Sequence, residues 1–296
     1  MIISDKRGYI ALAAMAALVS LTLGVLIKSG TVSVCVQDDK SNEEIPLVAV
    51  MYHAFSSDIS KCGKYIIPPD LFESDVKYLL DNGYTFVDTG DILSYYKDGT
   101  DLPEKPVMIT IDDGHYSNYA YIFPIMKKYT VKAVISPIAI ESDRYSQSMD
   151  LNPAYANMCW DNIKEMHSTG LADIQNHSYD MHKINKSVRG CAPLLGEDIG
   201  TYRKRLYDDL KKADDAIFGA TGERPVCMVY PFGLTSKEAR DVIDKLGYSM
   251  SVSCTEGITM LNRETDCLHM IKRYNRPYGK SSQDFFKKIE SAGNAR

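Results

Sequence analysis

The chain has 296 residues, 45% of them hydrophobic and 25% charged, with a formal net charge of -5. That length suffices for one large domain with a well-buried core. The mild acidity excludes the broad basic field that binding to a phosphate backbone requires, so nucleic acid is not an expected partner, and nothing in the composition points to a protein partner.

Residues 8–27 carry no charge, and Lys6, Arg7 and Lys28 close the stretch at its ends. Roughly 20 apolar residues cross a bilayer as a helix. The cations before the stretch place residues 1–7 in the cytoplasm and everything after Lys28 outside the cell. The competing reading is a cleaved secretory signal, for which Thr31 and Ser33 are passable small residues before a cut; the lack of an A-x-A pattern favours a retained anchor. Residues 28–44 are polar, with Asp38, Asp39, Lys40, Glu43 and Glu44 and no apolar period, and read as a stalk. The folded, extracytoplasmic domain is then residues 45–296. Seven cysteines are scattered with no C-x-x-C pair, so no zinc cluster is indicated; an outside location permits disulfides, and the odd count leaves at least one thiol over.

From Ile45 onward, apolar runs suited to buried strands alternate with amphipathic stretches suited to helices, the pattern of an α/β fold. Leu47–Tyr52 is the first strand. Pro69–Asn82 is a helix with Leu71, Phe72, Val76, Leu79 and Leu80 on one face and Gly83 as its stop. A short strand at Thr85–Val87 and a short helix at Ile92–Lys97 follow. Pro106–Ile111 is a β-branched strand, Asn118–Lys128 a helix and Val131–Ile138 a strand. Next come a helix at Asn162–Ser168, a strand at Ala172–Gln175, and a long helix at Glu197–Phe218 with Tyr202, Leu206, Leu210, Ala213 and Ile217 at helical spacing. A strand at Val226–Tyr230, a helix at Lys237–Lys245 and a strand at Ser249–Ser253 complete the series. Such repeated units suit either a barrel or an open parallel sheet, and in both the chemistry belongs at the C-terminal ends of the strands.

Three clusters sit at such ends. Asp112 and Asp113 close the strand before Gly114 and His115. Neighbouring residues on a strand point to opposite faces, so the two carboxylates can share a site only if the backbone turns there; the plainer reading is an Asp-Gly turn. His177 and His182, with Ser178 and Asp180 between them, directly follow the strand at Ala172–Gln175. Five positions apart on a helix they would diverge, so a shared metal needs an irregular loop; otherwise they are two surface histidines. Val229-Tyr230-Pro231-Phe232-Gly233 ends a third strand in a turn that could aim a backbone N–H at a developing oxyanion, or could simply be a Pro-Gly turn. One carboxylate with two imidazoles makes a three-ligand site with a position open for water.

Taken together, the clusters resemble the polysaccharide deacetylase family, whose catalytic module is the NodB homology domain. Thr110-Ile111-Asp112-Asp113-Gly114 is similar to the family's T-F-D-D-G motif, His177-Ser178 with His182 to its paired-histidine motif, and Tyr230-Pro231-Phe232-Gly233 to the end of R-x-P-Y-G. The likeness extends from about Pro46 to Phe286. It implies a distorted (β/α) barrel with fewer than eight regular strands. It also implies a divalent ion held by Asp113, His177 and His182, with zinc the default and cobalt, nickel or manganese as alternatives. Asp112 becomes the general base and the Phe232 N–H the oxyanion donor. Two departures stand out. Val229 occupies the position of the family arginine that pairs with the catalytic carboxylate. The histidine of the family's last motif, its general acid, has only His269 as a downstream candidate, with His53 next in line. For His53 and His115 an ordinary hydrogen-bonded histidine is the simpler reading, and His167 lies within a predicted helix.

The activity implied is removal of N-acetyl groups from an extracellular or cell-envelope polysaccharide. The alternatives are a non-catalytic glycan-binding module of the same fold, a metal-dependent small-molecule amidase, and an acetyl-xylan esterase.

Overall fold

The computed structural model describes residues 44–263 and 267–294. The proposed anchor at residues 8–27 and nearly all of the stalk lie outside the described residues. No helix among the described residues is long and apolar enough to cross a membrane.

The strands are β1 (Ile45–Tyr52), β2 (Ala54–Phe55), β3 (Ile66–Ile67), β4 (Thr85–Phe86), β5 (Pro106–Asp113), β6 (Ala133–Pro137), β7 (Ala172–Ile174), β8 (Cys227–Val229), β9 (Met250–Val252), β10 (Thr259–Leu261) and β11 (Tyr274–Asn275). The α-helices are α1 (Pro69–Asp81), α2 (Thr89–Asp98), α3 (Phe123–Tyr129), α4 (Ala139–Ser148), α5 (Trp160–Ser168), α6 (Ile199–Thr221), α7 (Lys237–Leu246) and α8 (Ser282–Asn294). The protein is thus α/β, and β1, β5, β6 and β7 pair in parallel, in that order.

The pairing continues around a ring. Asn176, just past β7, bridges to Met228 of β8; β8 pairs with β9; Val252 of β9 bridges to Ile271; and β11, three residues on, pairs in parallel with β1. At the β7–β8 seam a side chain replaces the missing ladder: the Gln175 amide oxygen accepts from the N–H groups of Val226 and Cys227, each at 2.8 Å. Buried amides need such partners, so the seam stays closed although the strands are only three residues long.

Strand alternation separates two cores. Val48, Val50, Val107, Ile109, Ile111 and Ile135 face outward and pack under α1, α5 and α8. Leu47, Ala49, Met108, Val134, Val229 and Val252 face the middle of the ring, where Ile92 and Tyr95 of α2 join them. Continuing the inward set along β5 beyond Met108 gives Thr110 and then Asp112, so the alternation itself directs the Asp112 carboxylate into the ring.

Most predicted elements are present within a few residues. Helix α2 starts earlier than its apolar residues suggest, because Asp88 and Asp91 form a reciprocal capping box. The predicted helix at Asn118–Lys128 is a π-helical turn, Asn118–Ile122, running into α3. Helix α4 has no sequence-predicted counterpart, since only Ala139 and Ser142 of its ten residues are buried and no apolar stripe marks it.

Candidate active site

Three backbone positions build the site, and each is a non-glycine residue in the left-handed region: Asp113 (φ 70°), Ser178 (φ 74°) and Phe232 (φ 58°). Such conformations cost of order 1–3 kcal/mol each and persist where the surrounding structure imposes them. At Asp113 the positive φ turns the chain at the end of β5, which lets the second carboxylate join the first on one side. Gly114 continues the turn at φ 71°, and a Cβ there would lie 2.8 Å from Pro137 Cβ, so only glycine fits.

Asp113 Oδ1 lies 3.4 Å from His177 Nε2 and 3.2 Å from His182 Nε2. One ligand atom from each residue falls within 4.8 Å of the other two. The carboxylate oxygen is buried yet makes no hydrogen bond, and its second oxygen faces His115 Nε2 at 3.6 Å. A tetrahedral ion with bonds of about 2.0–2.1 Å separates its ligand atoms by about 3.4 Å, close to the two spacings seen here. His177 is prepared to ligate through Nε2, because its Nδ1 is 2.7 Å from the Val229 carbonyl and donates to it, fixing the tautomer. Burial would raise Asp113, but His115, His177 and His182 hold it well below the usual carboxylate range. Burial keeps His182 below its ordinary value, whereas at His177 burial is outweighed by Asp113 and Asp112, which hold it above. The donor set therefore fits a divalent cation.

Asp112 is 2% exposed and faces a fully buried Arg273, whose Nη1 donates to Asp112 Oδ1 at 2.8 Å and to Thr110 Oγ1 at 3.0 Å. Arg273 Nε donates to the Ser253 carbonyl at 2.9 Å, which fixes the guanidinium. Burial pushes the Asp112 carboxyl up; Arg273, with His177 and His53, outweighs it and holds the group below its ordinary value. The arginine that the sequence lacks at Val229 is thus replaced from the stretch leading into β11. Arg273 lies in the run Lys272-Arg273-Tyr274-Asn275-Arg276, and nothing there marks it out from the neighbouring cations for this role.

These groups open into a cavity of about 550 Å3 that His53, His115, Tyr65, Phe232 and Cys254 also line. Phe232 is 42% exposed, and its ring lies 4.3 Å from the His182 ring. His53, just past β1, packs against Tyr65 with ring centroids 4.8 Å apart and planes tilted by 59°; its buried Nδ1 has no hydrogen-bond partner, and burial lowers its pKa. The ordinary hydrogen-bonded reading therefore does not describe His53. His269 is not among the cavity-lining residues, and its Nδ1 lies 3.5 Å from Ser251 Oγ on β9. His167 sits away from this cavity, with Nδ1 3.2 Å from the Ala172 carbonyl. Six cysteines are described, all free thiols.

The geometry agrees with what the chain is similar to. It is 26% identical over 233 residues to the putative polysaccharide deacetylase YxkH of Bacillus subtilis, covering 79% of this chain and 73% of that one. It is 26% identical over 210 residues to the poly-beta-1,6-N-acetyl-D-glucosamine N-deacetylase of Staphylococcus aureus, covering 68% and 66%. Among solved structures, a de-N-acetylase from Aggregatibacter actinomycetemcomitans superposes with a TM-score of 0.70 at 23% identity, over 82% of this chain and 99% of that one. The Streptococcus pyogenes deacetylase PplD superposes with 0.67 at 21% identity, over 83% and 99%. At such identities the structural likeness speaks for the fold. A sequence model described as polysaccharide deacetylase matches residues 99–251, just over half of the chain and all three motifs, so the chain belongs to the polysaccharide deacetylase family.

Proposed function

We propose that the protein hydrolyses N-acetyl groups on an N-acetylated polysaccharide outside the cell, using a divalent ion held by Asp113, His177 and His182. The observation that carries this reading is the placement of Asp112, kept ionised by Arg273, directly beside a preformed set of three ligands. A divalent ion there would acidify a water and polarise the acetamide carbonyl. Asp112 takes the proton of the water that attacks the acyl carbon. The Phe232 N–H donates to the developing oxyanion, supported by a backbone already held at φ 58°. A second group must give a proton to the amine as the C–N bond breaks. His53, in the cavity wall, is better placed for that step than His269, which turns toward β9; burial favours the neutral imidazole, so His53 must first take up a proton from solvent. The products are acetate and a free amino sugar.

The name of the Staphylococcus aureus relative supports a polymer of N-acetylglucosamine as the first substrate to test. The apolar residues 8–27 support a location on the outer face of the cell membrane, and protease added to intact cells should then release a soluble domain; protection of the whole chain would refute that placement. For the activity itself, acetate release from N-acetylated glycans is measured with and without chelator. Chelator-sensitive release is expected. Absence of release from every glycan, with binding retained, would make the protein a glycan-binding module. Release only from acetylated xylan would make it an esterase.

A further inference from the structure

The two histidines are joined by a loop whose backbone donors do not enter a strand ladder. Ser178 N–H donates to Asn176 Oδ1 at 2.6 Å and Met181 N–H to Ser178 Oγ at 3.2 Å, both within the loop. The two donors between them leave the loop. Tyr179 N–H donates to Asp209 Oδ1 at 2.8 Å, and Asp180 N–H to Asp209 Oδ2 at 2.9 Å. Successive N–H groups beside a left-handed residue form a concave anion-binding nest, and here a carboxylate of the chain fills it.

Asp209 stands on α6, and α6 grips the loop a second time. Asn176 Nδ2 donates to the Leu210 carbonyl at 3.0 Å and to Asp214 Oδ1 at 2.8 Å. Asp209, Leu210 and Asp214 therefore hold both sides of His177. Asp209 touches no residue proposed as a ligand, base or acid, but it contacts the midpoint of the span between the two imidazoles. Those imidazoles must sit within about 0.2 Å of their places to share an ion. Besides Asp209, only the Ala139 N–H on the Ser178 carbonyl at 3.2 Å and the Ile140 N–H on the Tyr179 carbonyl at 3.1 Å, among the described residues, restrain the backbone between them from outside the loop.

We infer that Asp209 is a positioning residue for the metal site: its two carboxylate oxygens set the spacing of His177 and His182, and so the affinity for the ion. This rests on the metal-dependent reading above. Two properties are required of the group, negative charge and two acceptor oxygens at one reach. Asp209→Asn keeps the shape but places an NH2 against a backbone N–H. Asp209→Glu keeps both oxygens and the charge, displaced by one methylene.

The test uses the full chain, with Zn2+ affinity read by competition against a chelator and thermal unfolding of the metal-free proteins followed alongside. Affinity should fall in the order wild type, Asp209→Glu, Asp209→Asn, the last about 10- to 100-fold weaker, the usual range for a group that orients a ligand. The midpoints of the metal-free forms should change far less than the affinities. A purely structural role would lower those midpoints and leave the zinc affinity of the folded protein unchanged, which would overturn the inference. Asparagine binding zinc more tightly than glutamate would also overturn it, because shape alone would then matter. If Asp209→Asn does not fold, wild-type affinity in Asp209→Glu is the refuting result. A wild-type protein that binds no zinc would remove the underlying reading as well, whereas equal binding by wild type and variants removes only this inference.

Discussion

Arg273 Nη1 lies 2.8 Å from Asp112 Oδ1, and the two residues are 161 positions apart, both withdrawn from solvent inside the ring of strands. A buried pair of this kind contributes little net stability, but stranding one partner is expensive, roughly 3–5 kcal/mol. Arg273→Met should therefore destabilise the chelator-treated protein by about that amount and abolish turnover. Adding Asp112→Asn removes the stranded charge, so the double variant should regain part of the loss. Denaturant unfolding of both decides it, and a double variant no more stable than Arg273→Met would show that the charge is not what the arginine balances.

The ligand set predicts a division among four variants. Asp113→Ala, His177→Ala and His182→Ala should each lose bound zinc and activity, because the remaining pair holds the ion far less firmly. Asp112→Asn should retain zinc and lose turnover. Elemental analysis of the purified proteins is the measurement. An empty Asp112→Asn beside a full Asp113→Ala would reverse the roles of the two aspartates.

The placement of the remaining histidines separates the two candidates for the proton donor. His53→Ala should lower kcat by about 10²- to 10⁴-fold, the range of a general acid, while zinc content stays at the wild-type level. His269→Ala should leave kcat within a few-fold. The opposite ranking in steady-state assays would return the role to His269.

Gly114→Ala tests the turn that brings the aspartates together. It combines a left-handed conformation with a Cβ 2.8 Å from Pro137 Cβ and 2.9 Å from Pro137 Cα. Adding the backbone and overpacking costs predicts a loss of roughly 2–4 kcal/mol, with weakened zinc binding. Gly83→Ala is the control: its φ is 76°, but no atom lies within 4 Å, so only the conformational cost of about 1–2 kcal/mol applies. Equal losses in urea unfolding would mean that the Pro137 contact relaxes freely.

Much of the candidate site is legible in the sequence alone. The strand and helix periods, the Asp-Gly exit of β5, the histidines after β7 and the Pro-Phe-Gly turn after β8 are local patterns, written within a few residues of where they act. They place Asp112, Asp113, His177, His182 and Phe232 at strand ends without saying that the ends meet. The order β1, β5, β6, β7 and its return through β8, β9 and β11 decided that. The same closure carried Arg273 to Asp112, drew His53 into the cavity wall, left His269 beside Ser251 and set Asp209 under the histidine loop. None of these has a local signature, because an ion pair or a hydrogen bond across the ring depends on which strands become neighbours. That choice follows from burying both faces of every strand at once, a condition on the whole chain that no short stretch of it expresses.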